Sequence, residues 1–163
     1  MTKQHTAVNL QSQDTVQQFR LGALHIDELG NHYRYFKNYT TGALTAYLLY
    51  TYDPDTWTIS DALTTTVAAS GEVHPLCCPQ VAVSQGTSSA SYWAWMFVGP
   101  GRATFTSAAA ITAQAKIFTT ATAGKVDDNS SSTVLIPGLI TYDAFASAVT
   151  GICKASNELY VSN

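Results

Sequence analysis

Short runs of alternating apolar and polar residues, separated by turn residues, dominate the early part of the chain. Leu24, Ile26 and Glu28 fall on one phase, and the sequence Leu29-Gly30-Asn31 follows them. Residues 32–39, HYRYFKNY, then resume the alternation. Because side chains alternate between the two faces of a strand, and Gly and Asn tolerate the turn conformation, this pattern predicts a β-hairpin.

Short strand-like runs separated by turn residues continue along the rest of the chain. Residues 44–52 and 57–61 flank an Asp-Pro-Asp turn and predict a second hairpin. Residues 73–84 contain two prolines, which predict an edge strand or a bulge because proline cannot donate to a ladder. Residues 107–115 favour a loop or a single turn over a helix, because Thr-rich, strand-like segments flank them. Turn signals about every 8 to 12 residues predict an all-β class, a compact antiparallel sandwich or barrel.

The most hydrophobic segment is YWAWMFV, residues 92–98. Trp93, Trp95 and Phe97 share one phase, while the opposite phase is also apolar. A strand that is apolar on both phases is buried on both faces or lies at a subunit contact. We therefore expect Trp93, Trp95 and Phe97 in the core or in a subunit interface.

Residues 1–20 are polar and show no regular period. Their apolar members are sparse: Val8, Leu10, Val16 and Phe19. This pattern predicts an extended N-terminal arm over residues 1–20, either a frayed tail or a segment that orders on a partner. Residues 21–163 then form a single β-rich domain, with a possible boundary between two lobes near residues 85–91.

Composition and charge exclude several classes. The chain of 163 residues is 46% apolar and 12% charged, with a net charge of −3. Its eight lysines and arginines are scattered along the sequence, unlike the concentrated basic face of a nucleic-acid binder. No apolar run approaches the roughly 20 residues that cross a bilayer, and no apolar signal-peptide region is expected at the N-terminus. These observations predict a chain that binds neither nucleic acid nor membrane and is made in the cytoplasm.

The cysteines give little evidence for a metal site or a disulfide scaffold. His74, Cys77 and Cys78 form the motif H-x-x-C-C, but adjacent cysteines on a strand point to opposite faces. Cys153 would have to arrive from elsewhere, and a tetrahedral zinc site needs a fourth ligand. Three cysteines are also an odd number for a disulfide scaffold. We therefore expect buried free thiols, no metal site and no cofactor.

No other catalytic arrangement stands out. The paired acids at Asp53 and Asp55, and at Asp127 and Asp128, occur in turn sequences, where aspartate is favoured for its bonds to the backbone. The sequence GPG at residues 99–101 is a turn and not a phosphate-binding loop. We expect a structural or binding protein and not an enzyme.

The order of the segments resembles the small decoration, or cement, proteins of tailed-phage heads. The resemblance rests on four segments across residues 20–155: LGALHIDELGNHYRYFK, YWAWMFVGPGRATF, AKIFTTATAGKVDD and VLIPGLITYDAFASAVTGICKA. It implies a β-tulip or β-barrel fold and a position on the outer surface of the virion head. It also implies the major capsid protein as a partner and a homo-oligomer, with a trimer favoured, although the proline-rich segment 73–84 and the aromatic segment 44–57 depart from the family and leave dimers and monomers open.

The resemblance further implies that the N-terminal arm lies along the capsid, through Val8, Leu10, Val16 and Phe19. An alternative is a phage tail or head-fibre module that binds a receptor or glycan. In that alternative, Trp93 and Trp95 serve as an exposed sugar platform. The two hypotheses differ in the expected burial of these tryptophans.

Overall fold

The computed structural model describes residues 8–38, 42–68, 72–86, 91–131, 134–146 and 149–161. These residues form thirteen strands and one helical turn: β1 (Gln13–Asp14), β2 (Leu24–Ile26), β3 (His32–Asn38), β4 (Tyr50–Asp53), β5 (Thr58–Ala62), α1 (Thr65–Ala68), β6 (His74–Pro79), β7 (Tyr92–Phe97), β8 (Gly101–Thr106), β9 (Lys116–Thr119), β10 (Val126–Asp127), β11 (Leu135–Thr141), β12 (Thr150–Ala155) and β13 (Tyr160–Val161). The predicted all-β class is confirmed, as are the hairpins β2–β3 and β4–β5.

The first sheet closes on itself. Strands β7, β3, β5, β4 and β6 are hydrogen-bonded in that order, and β6 pairs with β7 to complete a five-stranded barrel. The pairing of β3 with β5 is parallel, whereas the other pairings around the barrel are antiparallel. Strands β1, β2 and β13 extend this sheet by pairing with β7, β3 and β6.

The second sheet is antiparallel, in the order β10, β9, β11, β12 and β8. A parallel bridge between Ser107 and Val126 links the end of β8 to β10 at the opposite edge. In β11, the register shifts between Leu135 and Ile140, a segment that contains Pro137 and Gly138. The result is a curled sheet beside a closed barrel, which agrees with the expected barrel or sandwich architecture.

Two apolar clusters hold these layers together. The first lies inside the barrel and includes Phe36, Tyr52 and Met96. The second joins β-strand residues of the barrel, such as Tyr35 and Phe97, to residues of the second sheet. Its members from the second sheet are Ala103, Phe105, Ile117, Val126, Ile136, Leu139, Cys153 and Ala155.

Strand β7 lies between the two clusters. Ala94 and Met96 belong to the cluster inside the barrel, whereas Trp95 and Phe97 belong to the cluster that includes the second sheet. Trp93 is partly buried against the latter cluster. This arrangement explains why both phases of the strand are apolar, and it does so within a single chain.

Strand β6 corrects the prediction of an edge strand over residues 73–84. It pairs with β4, β7 and β13 and is therefore an interior strand of the sheet. Its prolines, Pro75 and Pro79, lie next to its first residue and at its last residue, where a missing donor costs the ladder least.

The predicted lobe boundary near residues 85–91 is not where the chain changes sheets. Strands β6 and β7, on either side of it, pair with each other. Residues 87–90 lie outside the described residues. The chain passes to the second sheet after β7, through the turn Gly99-Pro100-Gly101 that precedes β8.

The N-terminal segment also differs from the expected arm. Strand β1 pairs with β7, and the Tyr35 hydroxyl donates a hydrogen bond to Asp14 Oδ2 at 2.6 Å. The Phe19 ring contacts the rings of Tyr35 and Trp95, with centroids 5.3 and 5.1 Å apart. The segment therefore lies against its own domain, where Val8, Leu10 and Phe19 pack on the core. Residues 1–7 of the predicted arm lie outside the described residues.

Strand β8, at the edge of the second sheet, is covered by side chains of the barrel. The Arg102 amide donates to Asn31 Oδ1 at 2.7 Å. The Thr104 amide donates to Gln80 Oε1 at 3.0 Å, and Gln80 Nε2 donates back to the Thr104 carbonyl at 3.3 Å. These bonds satisfy backbone groups that an exposed edge strand would leave open to another chain.

Candidate functional site

The three cysteines are buried in the core and are divided between the two apolar clusters. Cys77 lies inside the barrel, while its neighbour Cys78 and the distant Cys153 belong to the other cluster. Burial raises the pKa of the Cys153 thiol to about 12 and the pKa values of Cys77 and Cys78 well above their ordinary value. The thiols are free and protonated at neutral pH, which disfavours nucleophilic chemistry. Within the described segments, no three His, Cys, Asp or Glu side chains are close enough to share a metal ion.

The acidic pairs act in turns. Asp53 accepts hydrogen bonds from the Thr56 hydroxyl and the Asp55 amide, both at 2.8 Å, and these bonds hold its pKa below the ordinary value. Asp128 accepts from the Thr112 amide at 2.9 Å and from the Thr112 hydroxyl at 2.8 Å. The bond from the Thr112 amide contributes most to the lowered pKa of Asp128. These carboxylates are engaged in organising the loops that carry them.

The aromatic residues of β7 do not form an exposed platform. Trp95 is only 3% exposed, and its indole ring contacts Phe19, His25 and Tyr35. Trp93 is partly buried, and its indole nitrogen is shielded from solvent. A sugar ring cannot stack on Trp95 while the N-terminal segment covers it.

The residues predicted to bind the capsid through an arm are separated by the structure. Val8, Leu10 and Phe19 are partly buried against the core of their own domain. Val16 is 65% exposed and lies on the surface. The four residues therefore do not form one available apolar stripe.

A different surface stands out on the outer side of the second sheet. The strand register places Lys116 opposite Ile140, Ile140 opposite Lys154, and Lys154 opposite Arg102. These residues form one row across four strands, and Ile152 lies two positions from Lys154 on the same face. We call Arg102, Lys116, Ile140, Ile152 and Lys154 the cationic face.

Two of its positive charges are directly opposed. The Arg102 amide points away from β12 toward Asn31, so Arg102 and Lys154 form a non-hydrogen-bonded antiparallel pair. The Cβ atoms of such a pair are about 4.5–5.5 Å apart. Across the described ranges, neither side chain has an ion pair or a side-chain hydrogen bond. The Arg102 guanidinium instead lies over the Tyr142 ring, 4.0 Å from its centroid.

Apolar side chains and two cavities border these charges. Leu29 is 86% exposed, Ile152 46% and Tyr142 40%. A cavity of about 270 Å³ is lined by Leu29, Asn31, Gly101, Arg102 and Lys154. A second cavity, of about 320 Å³, shares three of these residues and reaches Gln80, Thr104 and Ile152. Cationic side chains without an ion pair among the described residues, exposed apolar groups and adjoining cavities together form a surface suited to binding another molecule.

Asp27 sets the position of the turn beside the cationic face. It accepts hydrogen bonds from the Leu29 amide, the Asn31 amide and the Asn31 side chain, all at 2.9 Å. Asn31 in turn accepts the bond from the Arg102 amide. Partial burial raises the pKa of Asp27, but the hydrogen bonds from Asn31 and Leu29 outweigh burial and lower its pKa overall.

We expect the contribution of Asp27 to stability to depend on pH. Because its folded-state pKa lies below the ordinary 3.8, the contribution is fully present above that value and is lost as the pH falls through the folded-state pKa. Asp27→Asn should lower the free energy of unfolding by about 1 kcal/mol at pH 7. The difference from the parent chain should shrink below pH 3.8, as measured by urea unfolding across a pH series.

Glu28→Gln is the matched control for this experiment, since Glu28 is exposed on the same turn. It should leave the unfolding free energy nearly unchanged at neutral pH. A difference between Asp27→Asn and the parent chain that stayed constant down to the lowest pH would contradict the role of the Asp27 charge.

The cationic face was not found from the sequence, because its lysines and arginine are far apart along the chain. Alternation within β8, β9 and β12 could have assigned each of them to the polar side of its strand. The order of the strands, which brings them into one row, comes only from the structure.

No family model, curated protein or solved structure matches the chain. Within the described part of the chain, no helix has the length and apolar character needed to cross a bilayer. The features that bear on function are therefore those of the molecule itself: an all-β domain, buried thiols, acids engaged in turns and an exposed cationic face.

Proposed function

We propose that the chain is a structural decoration protein that binds the outer surface of an icosahedral phage head and stabilises the capsid lattice. The observation that carries the proposal is the cationic face with its exposed apolar border, which extends across four strands of one sheet. The resemblance of four sequence segments to phage cement proteins supports the same conclusion.

Decoration works by mass action. A protein that binds the assembled lattice, and not the separate subunits, stabilises the lattice in proportion to its occupancy. Many symmetric copies, or an oligomer that contacts several capsid subunits, add avidity to a modest single contact. A folded β domain suits this role because little chain entropy is lost when an already ordered surface docks.

We therefore assign the proposed capsid contact to the second sheet and not to the N-terminal segment. Val8, Leu10 and Phe19 already contact their own domain, which leaves them little surface for a partner. Assembly as a homotrimer remains part of the proposal. The alternative of a glycan-binding tail or head-fibre module loses its best support, because Trp95 is buried.

The test is to mix the purified protein with empty heads of the source particle and to follow it by size-exclusion chromatography with light scattering. We expect the protein to co-elute with the heads at saturating stoichiometry and to raise their melting temperature. An unrelated protein of similar size and net charge, mixed at the same concentration, is the control. A stable species that never associates with heads would contradict the proposal.

A further inference from the structure

We propose that the cationic face docks on a carboxylate-rich, partly apolar surface of a different protein chain. The inference rests on the proposed function and deepens it, because it names the chemistry of the capsid surface that the protein recognises. It follows from three features of the face: its unpaired charges, the fixed position of Arg102 and its apolar border.

The first feature is an unfavourable arrangement within the free protein. Like charges directly opposite each other on neighbouring strands are destabilising, and Arg102 and Lys154 are such a pair. Lys116 adds a third positive charge to the same row. Unfavourable arrangements of this kind, which no ion pair among the described residues offsets, are typical of functional surfaces. Carboxylates from a partner would supply the missing compensation.

The second feature is that Arg102 is held in place. The cation–π contact with the Tyr142 ring restricts where the guanidinium lies, while its side-chain donors make no hydrogen bond within the described residues. A planar guanidinium binds a carboxylate through two parallel hydrogen bonds, and less entropy is lost when the fork is already oriented. The cavity of about 270 Å³ beside Arg102 and Lys154 can accept an Asp or Glu side chain.

The third feature distinguishes a protein partner from a nucleic acid. Leu29, Tyr142 and Ile152 are exposed at the border of the charges and would gain by contact with apolar side chains. Nucleic-acid affinity comes mainly from many phosphate contacts, whereas this face has three cations on a chain of net charge −3. Charge and apolar character together match a protein surface.

The proposed function commits the occupant to a different chain, a subunit of the capsid. A second copy of this chain is an alternative occupant that the test below distinguishes.

The decisive variant is Lys154→Glu. It places a carboxylate opposite Arg102, so the pair becomes favourable within the free protein and the fold should be at least as stable as before. Binding to empty heads at low salt should nevertheless weaken by about tenfold or more, and its dependence on salt should become flatter. Arg20→Glu is the matched control, since Arg20 is exposed outside the second sheet and the change in net charge is the same. It should bind within about twofold of the parent chain.

Each remaining outcome decides the inference. Equal binding by the parent chain, Lys154→Glu and Arg20→Glu would show that the cationic face is not the binding surface. It would not contradict the proposed decoration function. A change in oligomeric state that occurs only in Lys154→Glu would show that the face mediates self-association. It would contradict the inference that the face binds a different protein chain. Binding to a short DNA duplex that is lost in Lys154→Glu would assign it to nucleic acid instead.

Failure of the parent chain to bind heads would instead overturn the proposed function. In that case the same three proteins are measured on a poly-glutamate layer. Salt-sensitive binding by the parent chain and Arg20→Glu, but not by Lys154→Glu, would still support an acidic protein partner. The absence of any difference among the three proteins would overturn it.

Discussion

Replacing Trp95 by alanine should destabilise the domain by about 3–5 kcal/mol. The side chain is 3% exposed, and its ring centroid lies 5.1 Å from Phe19, 5.2 Å from Tyr35 and 5.7 Å from His25. Its removal leaves a cavity beneath the N-terminal segment and removes one of the aromatic contacts of Phe19, which keeps its contact with Tyr35. Urea unfolding monitored by far-UV circular dichroism measures the loss.

Trp93→Ala is the control for this substitution, because Trp93 lies two residues away on the same phase but is only partly buried. We expect a loss of about half that of Trp95→Ala or less, in line with the smaller apolar area removed from the core. Limited proteolysis should also cut residues 8–20 faster in Trp95→Ala than in Trp93→Ala. Similar unfolding midpoints for the two variants would contradict the structural role assigned to Trp95.

Gly101→Ala should be comparably damaging, with a loss of about 3–5 kcal/mol from backbone strain, overpacking and a lost hydrogen bond together. Gly101 has a φ of 126°, which side-chain-bearing residues rarely adopt. An added Cβ would lie 2.6 Å from both Asn31 Cα and Asn31 Oδ1. It would therefore displace the side chain that accepts the Arg102 amide.

Gly30→Ala separates strain from crowding. Gly30 also has a positive φ, of 79°, but an added Cβ would meet nothing within 4 Å. Its replacement should cost about 1–2 kcal/mol, the ordinary penalty of a left-handed alanine. Thermal unfolding of both variants measures the difference, and equal losses would show that contact with Asn31 is not the cause.

Local features of the fold were predictable because they depend on neighbouring residues. Alternation and turn chemistry predicted the β2–β3 hairpin, and the apolar phases of residues 92–98 predicted a strand that is buried on both faces or lies at a subunit contact. The opposite orientations of Cys77 and Cys78 followed from the geometry of a strand. Each of these inferences requires only that side chains alternate between the two faces of a strand, and none requires the order of the strands.

Features that depend on distant partners were not predictable. The prolines of β6 suggested an edge, but the sequence does not reveal that they lie near the ends of an interior strand. The sparse apolar residues of the N-terminal segment look insufficient for a core, yet Phe19 completes one that Tyr35 and Trp95 provide. In both cases tertiary pairing outweighs the local signal.

The candidate site illustrates the same limit. Alternation alone could place Arg102, Lys116 and Lys154 on the polar sides of their strands. Their assembly into one row requires the order β9, β11, β12 and β8, in which β8 and β9 are consecutive in the sequence but lie apart in the sheet. The buried state of Trp95 likewise depends on a segment 76 residues earlier in the sequence, as counted from Phe19.

The side chains along β8 have a consequence for how copies of this protein meet. Asn31 and Gln80 occupy the positions that the backbone of an added strand would take, so this border of the sheet cannot act as a template for a further strand. For the proposed decoration role, which would concentrate many copies on one particle, this protection matters because exposed edge strands can pair from one copy to the next. The side chains of Asn31 and Gln80 oppose such pairing at β8.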